Sequence, residues 1–228
     1  MSDVVDKIQS RGHWNVEIRP LPFDAERLKY EDLENVIEGA TVRMRGWPVP
    51  YIDQREPLLR GNDWIGQDVD ALMVSHLEAW RLFTSGQFVH LRAITADWGE
   101  DNLIAPQSPA ERIIPVWEIL FYLTEVVELA ARLTLKTRTP SSMLVRANLS
   151  GMADRGLVVG QPNRAEFFHP YLQQQDVLQA EINVPADDLI AEPRDVALGV
   201  AHHLLLRFGW KPAIEQLRGH QQELIDLR

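Results

Sequence analysis

The chain has 228 residues, enough for one large domain or two small ones and for a core that needs no covalent staples. It has no cysteine, which excludes disulfides, thiolate metal sites and cysteine nucleophiles; nor does it open on a basic-then-apolar leader or carry an apolar run approaching about 20 residues, so a soluble cytoplasmic protein is expected. The formal charge of -10 disfavours nucleic acid as a bulk electrostatic partner and attachment to an anionic membrane, since each calls for a basic surface field.

Residues Met1 to Arg11 read as a helix or arm. From His13 to Arg19 the sequence alternates, with Trp14, Val16 and Ile18 on one side of a half-buried strand that Pro20 and Pro22 should end. Tyr30 to Gly39 carries Leu33, Val36 and Ile37 at helical spacing, with Gly39 as the stop. The run TVRMRGW alternates again and predicts a second strand with Val42 and Met44 inward. Beside the first strand it would bring Arg43 and Arg45 to Glu17 and Arg19 in a charged sheet face. WPVPYID must be extended because Pro48 and Pro50 restrict the residues before them, and GNDWIGQ is a turn leading into the next element.

That element, His76 to Thr95, predicts a β-hairpin closed by the two-residue turn Ser85-Gly86. Arg81 then faces His90, Trp80 faces Leu91 and Phe83 faces Phe88. One face carries Trp80, Leu82, Val89 and Leu91 and belongs to the core; the other carries Phe83, Phe88, Arg81, His90 and Arg92. Such a face either covers apolar surface with Arg and His stems or forms a pocket floor, where guanidinium groups grip an anion and aromatic rings stack a ligand. Five of the seven tryptophans precede residue 100 and point to a bulky core.

Ser108 as cap and Pro109 at the first position predict a helix from Pro109 to about Lys136, kinked at Pro115 and buried on most sides. Glu118 and Glu125 are seven apart and share an azimuth, as metal ligands, as a proton-transfer pair, or as partners of sheet arginines; the last is preferred because no Glu-x-x-His partner motif is present. Met143 to Leu149 returns to strand; Asp154-Arg155-Gly156 gives turn chemistry, and Leu157 to Val159 can pair back as a second hairpin. Phe167-Phe168-His169-Pro170-Tyr171 should cap an edge of the core. Val177 to Val184 is a strand with Leu178, Ala180, Ile182 and Val184 on its buried side, and helices over Pro193 to Phe208 and Pro212 to about Leu227 close the chain. The fold class is α+β: an antiparallel sheet built from hairpins, with a long central helix and C-terminal helices packed on it. It is read as a single domain over 1-228, with 12-138 and 139-228 as two lobes in the alternative.

No Gly-rich phosphate loop, dinucleotide fingerprint, nucleophile elbow or zinc-protease helix is present. His76-Leu77-Glu78 has the first half of a zinc-deaminase motif but lacks the Cys-x-x-Cys half, and the consecutive His202 and His203 point about 100° apart on a helix. No metal or cofactor is implied. The first functional expectation is a binding or interaction module whose Arg43, Arg45, Arg81, His90, Arg92, Phe83 and Phe88 receive a small anionic ligand or an acidic protein surface. The alternative is a hydrolase or transferase, metal-independent or metal-assisted, using His90 with Glu118 or Glu125. A third is a structural subunit that forms a homodimer or hetero-oligomer through apolar helix surface.

The modules Arg11-Gly12-His13-Trp14 with Ile18-Arg19-Pro20, then Arg45-Gly46-Trp47, Gly61-Asn62-Asp63-Trp64 and Trp80-Arg81-x-Phe83-x-Ser85-Gly86-Gln87-Phe88 resemble those of an uncharacterised prokaryotic protein family over roughly the first hundred residues. No reaction or ligand accompanies that family, so the resemblance implies only that the Arg-Trp hairpin region matters.

Overall fold

Strands whose side chains alternate between apolar and polar can leave one face to water, and the three nine-residue strands here, neighbours at one side of a single sheet, do so. The computed structural model describes residues 3–99, 110–137, 140–160 and 164–226, apart from the side chains of Leu72 and Ile225. In chain order its elements are α1 (Asp3–Gln9), β1 (His13–Leu21), α2 (Leu33–Ala40), β2 (Leu59–Arg60), β3 (Trp64–Ala71), β4 (His76–Phe83), β5 (Phe88–Ala93), β6 (Ile113–Pro115), α3 (Val116–Lys136), β7 (Ser142–Ser150), β8 (Gly156–Val158), β9 (Tyr171–Leu172), β10 (Val177–Pro185), α4 (Ala186–Ala191), α5 (Pro193–Arg207) and α6 (Ile214–Asp226). Seven strands form one antiparallel sheet in the order β10-β7-β1-β5-β4-β3-β2, and β6, β8 and β9 form a small second sheet.

Trp14, Val16 and Ile18 of β1, Val145 and Ala147 of β7, and Leu178 and Ala180 of β10 all turn to the same side, where α3 and α5 cover them. The expected α+β architecture, with a long central helix against C-terminal helices, is therefore the observed one. Sixteen of the 21 residues of α3 are buried. The opposite face of the sheet is covered at one end by α1, whose Ile8 packs on Leu77, Ala79 and Ala93. No described helix is long and apolar enough to cross a membrane.

Several local expectations are corrected. TVRMRGW is not a strand: the chain doubles back through Gly46-Trp47-Pro48, leaving the isolated bridge between Val42 and Val49, with Val42 and Met44 buried all the same. β1 continues through Pro20 to Leu21, because its pairing with β5 has ended at Ile18 and no strand there needs the missing N–H. Pro115 does not kink α3 but precedes it as the cap residue, at a position where a backbone donor has no intrahelical partner; the residues before it are extended and form β6. The caps assigned to Ser108 and Pro109 lie outside the described residues. β8 does not pair back on β7, whose edges are both taken, but runs parallel to β6.

The central hairpin closes through three residues, Thr84-Ser85-Gly86, not two. Phe83 N–H donates to Gln87 O at 2.9 Å and Gly86, at φ 78°, takes the left-handed position that follows the turn. The additional loop residue shifts the register by one, so Trp80 pairs with His90, Leu82 with Phe88 and Glu78 with Arg92.

Candidate functional site

The shifted register divides the residues that sequence reasoning grouped. Phe88, His90 and Arg92 lie on the core face with Trp80, whereas Arg81 and Phe83 lie on the outer face. Arg81 pairs with Asp68 at 2.7 Å and crosses the Trp64 ring at 4.9 Å. It can fold across β3 because residue 66 is Gly: a Cβ there would stand 2.1 Å from the Trp80 carbonyl oxygen and 2.4 Å from Arg81 Cδ. Arg43 is exposed on the loop after α2. Arg45 binds Glu125 of α3 through a paired contact, Nε to Oε1 at 2.9 Å and Nη2 to Oε2. Arg43, Arg45, Arg81 and Arg92 therefore do not share one surface.

Inside, a connected set of polar groups fills the space between the hairpin and α3. Glu78 is fully buried, accepts the Tyr51 N–H at 2.6 Å and meets His76 Nε2 at 2.8 Å, with His90 Nε2 at 3.5 Å. His90 Nδ1 is 2.9 Å from the Tyr122 hydroxyl, and the Arg92 guanidinium lies 4.8 Å from the Tyr122 ring. Burial alone would raise the Glu78 carboxyl, but the two imidazoles beside it reverse this and hold it below the usual carboxylate range. Burial raises Glu118 despite Arg92 and the Thr95 N–H, and it raises the Tyr122 phenol as well. The Tyr122 hydroxyl thus lies within hydrogen-bond distance of one His90 ring nitrogen, while the other, Nε2, faces Glu78. Glu118 and Glu125, matched in azimuth, serve different partners: Thr95 and Arg92 for the first, Arg45 for the second. Neither contacts His90 by any hydrogen bond or ion pair among the described residues. This set is a closed hydrogen-bonded core, and among the described residues no group of three or more histidines and carboxylates is placed to hold a metal ion.

A site with room for a ligand lies elsewhere. A cleft of about 730 Å³ opens where the small sheet, the first turn of α3 and α6 meet. Its walls include the rings of Trp117, Phe167, Phe168, Tyr171 and Trp210. Phe167 packs edge-on to Tyr171 at 5.0 Å and against Trp210 at 5.1 Å, while Phe168 stands fully exposed at the rim. Trp117 Nε1 donates to Gly160 O at 2.9 Å, and Glu166 accepts the N–H groups of Val159 and Gly160 at 2.8 and 2.9 Å, which ties these two residues to the cleft wall.

On the polar wall Arg164 donates to His220 Nε2 at 3.2 Å and pairs with Glu223. Partial burial and the Arg164 charge together lower His220, so its imidazole is neutral at pH 7 with the proton on Nδ1. Val116 and Trp117 also belong to the first turn of α3, which has no side-chain cap; the positive end of the longest helix thus lies in the same wall. Sequence reasoning takes Phe167 to Tyr171 only as a cap on the core edge and Trp117 only as an apolar residue of the buried helix, and it passes over Arg164, Trp210 and His220. The available signal was the density of aromatic and cationic residues between Arg164 and Tyr171, in a stretch with no strand or helix periodicity. Compared with known protein families, curated proteins and solved structures, the chain matches none.

Proposed function

We propose that the chain is a binding module whose ligand is a small planar molecule bearing an acidic group, held in the cleft formed by Trp117, Phe167, Phe168, Tyr171 and Trp210. The observation that carries this reading is the meeting of four packed aromatic side chains, Trp117, Phe167, Tyr171 and Trp210, with Arg164 and His220 in one cavity of about 730 Å³, within the roughly 300–1,000 Å³ typical of small-molecule sites. The rings supply stacking area, and Arg164, only partly neutralised by a half-exposed Glu223, supplies a fork for a carboxylate or phosphate. The uncapped start of α3 favours the same charge. The groups first considered for catalysis, His90, Glu118 and Glu125, are buried in the core, which favours binding over turnover.

Titration of the Trp117 and Trp210 fluorescence with aromatic carboxylates and their neutral amides tests the reading. Saturable quenching by the carboxylate is expected, with Arg164→Ala weakening it by about tenfold, the worth of one charge-assisted hydrogen bond, and leaving the amide unaffected. Absence of saturation for every probe, or equal effects on acid and amide, would refute it.

A further inference from the structure

A second cleft, of about 490 Å³, lies between β3 and the loop that follows Pro50, and is lined by Trp47, Tyr51, Asp53, Arg55, Glu56 and Asp70 among others. Its aromatic corner is rigid. The Trp47 and Tyr51 rings meet at 69° with centroids 4.6 Å apart, and one face of Trp47 is stacked flat on His76 at 4.5 Å. Tyr51 is anchored on both sides, its N–H donating to Glu78 and its carbonyl accepting from Trp80 Nε1. The acidic loop is equally fixed. The buried Gln67 accepts the Asp53 N–H at 2.8 Å and donates to the carbonyls of Asp53 and Glu56 at 3.0 Å each.

The charges around this corner do not cancel. Asp53 is paired with Arg55, whose hydrogen bonds hold its carboxyl at about 2, and Asp70 is paired with Lys7 at 2.6 Å. Glu56 makes no ion pair among the described residues, so three carboxylates meet two internal cations and one negative charge is left over. An indole and a phenol set at an angle beside a surplus carboxylate suit a weakly hydrated organic cation, whose methyl groups rest on the ring faces while its charge meets the ring quadrupoles. A hard metal ion would need several converging oxygens instead, and the described residues offer no such group. We propose that this cleft is a binding site for a small alkylated ammonium ion, with Trp47 and Tyr51 as the cage and Glu56 as the counter-charge. The site is independent of the aromatic cleft near α6.

Isothermal titration of the full chain with choline and with its uncharged isostere 3,3-dimethylbutanol provides the test. Choline should bind saturably, at least about tenfold more tightly than the isostere, and more weakly as salt is added. Trp47→Ala should abolish binding, Trp47→Phe should retain part of it, and the exposed Glu56→Gln should weaken it several-fold. Should Trp47→Ala fail to fold, Glu56→Gln decides alone. Equal binding of the isostere, no binding of choline, or binding undiminished in Glu56→Gln would overturn the assignment. Glu56→Gln leaves the aromatic-acid titration at Trp117 and Trp210 untouched, so the two readings fail separately.

Discussion

Arg155 has no exposed surface, although it sits between Asp154 and Gly156 in what reads as an ordinary turn. Its guanidinium donates to both Asp97 oxygens, at 2.7 and 2.6 Å, to Ile113 O at 2.7 Å and, through Nε, to Gly151 O at 3.1 Å. Asp97 also accepts the Gly12 N–H at 2.8 Å, so one ion pair ties the start of β1, the segment after β5, β6 and the turn after β7. Arg155→Ala leaves a carboxylate, only 5% exposed, without its partner, and removing one member of a buried pair costs about 3–5 kcal/mol. For a chain of this length that is a fall in Tm of roughly 6–20 °C. Urea unfolding followed by tryptophan fluorescence and far-ultraviolet dichroism measures it, with Arg146→Ala as the reference. Arg146 bridges Glu17 and Glu181 on the partly exposed outer face, where such contacts contribute about 1 kcal/mol or less. Asp97→Ala combined with Arg155→Ala should cost less than the sum of the two single changes, since the second removal relieves the charge stranded by the first. A cost at Arg155 no larger than at Arg146, or strict additivity of the pair, would refute the reasoning.

Arg81 and Arg92 separate the observed register from the alternative pairing. Arg92→Ala, which removes a desolvated cation from the Tyr122 ring and from Glu118, should destabilise by about 2 kcal/mol or more, whereas Arg81→Ala on the outer face should cost about 1 kcal/mol or less. Equal losses in chemical denaturation would mean that the two share a face. Glu118 gives a pH signature. Its folded pKa lies above the unfolded value of about 4.3, so its contribution is complete below that value and declines as pH rises through the folded pKa. Glu118→Gln keeps an acceptor for the Thr95 N–H without the charge, and its stability relative to the native chain should grow as pH is raised from mildly acid toward neutral. Parallel stability profiles for the two proteins would contradict the assigned direction.

What could be read from the sequence and what could not follow from the same rule applied in different places. β1 and β10 each face apolar residues one way and polar residues the other, so Trp14, Val16, Ile18, Leu178 and Ala180 were assigned inward and are inward. In the hairpin the rule misleads. Grouping Trp80 and Leu82 with Val89 and Leu91 makes one face wholly apolar, and a Ser-Gly turn permits it; but the Gly86 conformation serves a three-residue loop as well, and the loop length sets the parity of everything after it. The core accepts Glu78, His90 and Arg92 because partners for them arrive from far along the chain: Tyr51 from the loop after α2, and Tyr122 and Glu118 from α3. Arg155 escaped notice for the same reason, its partners being Asp97 and Ile113. Polarity read residue by residue places a charged side chain outside; only the assembled neighbours can bring it in. The two clefts follow the same logic. Each joins an aromatic pair or cluster to charge from a distant segment, Trp117 with Arg164 and His220 in one and Trp47 with Asp70 in the other. A single stretch of sequence holds only part of either site, and the residues that choose the ligand are those that the fold, not the chain order, makes adjacent.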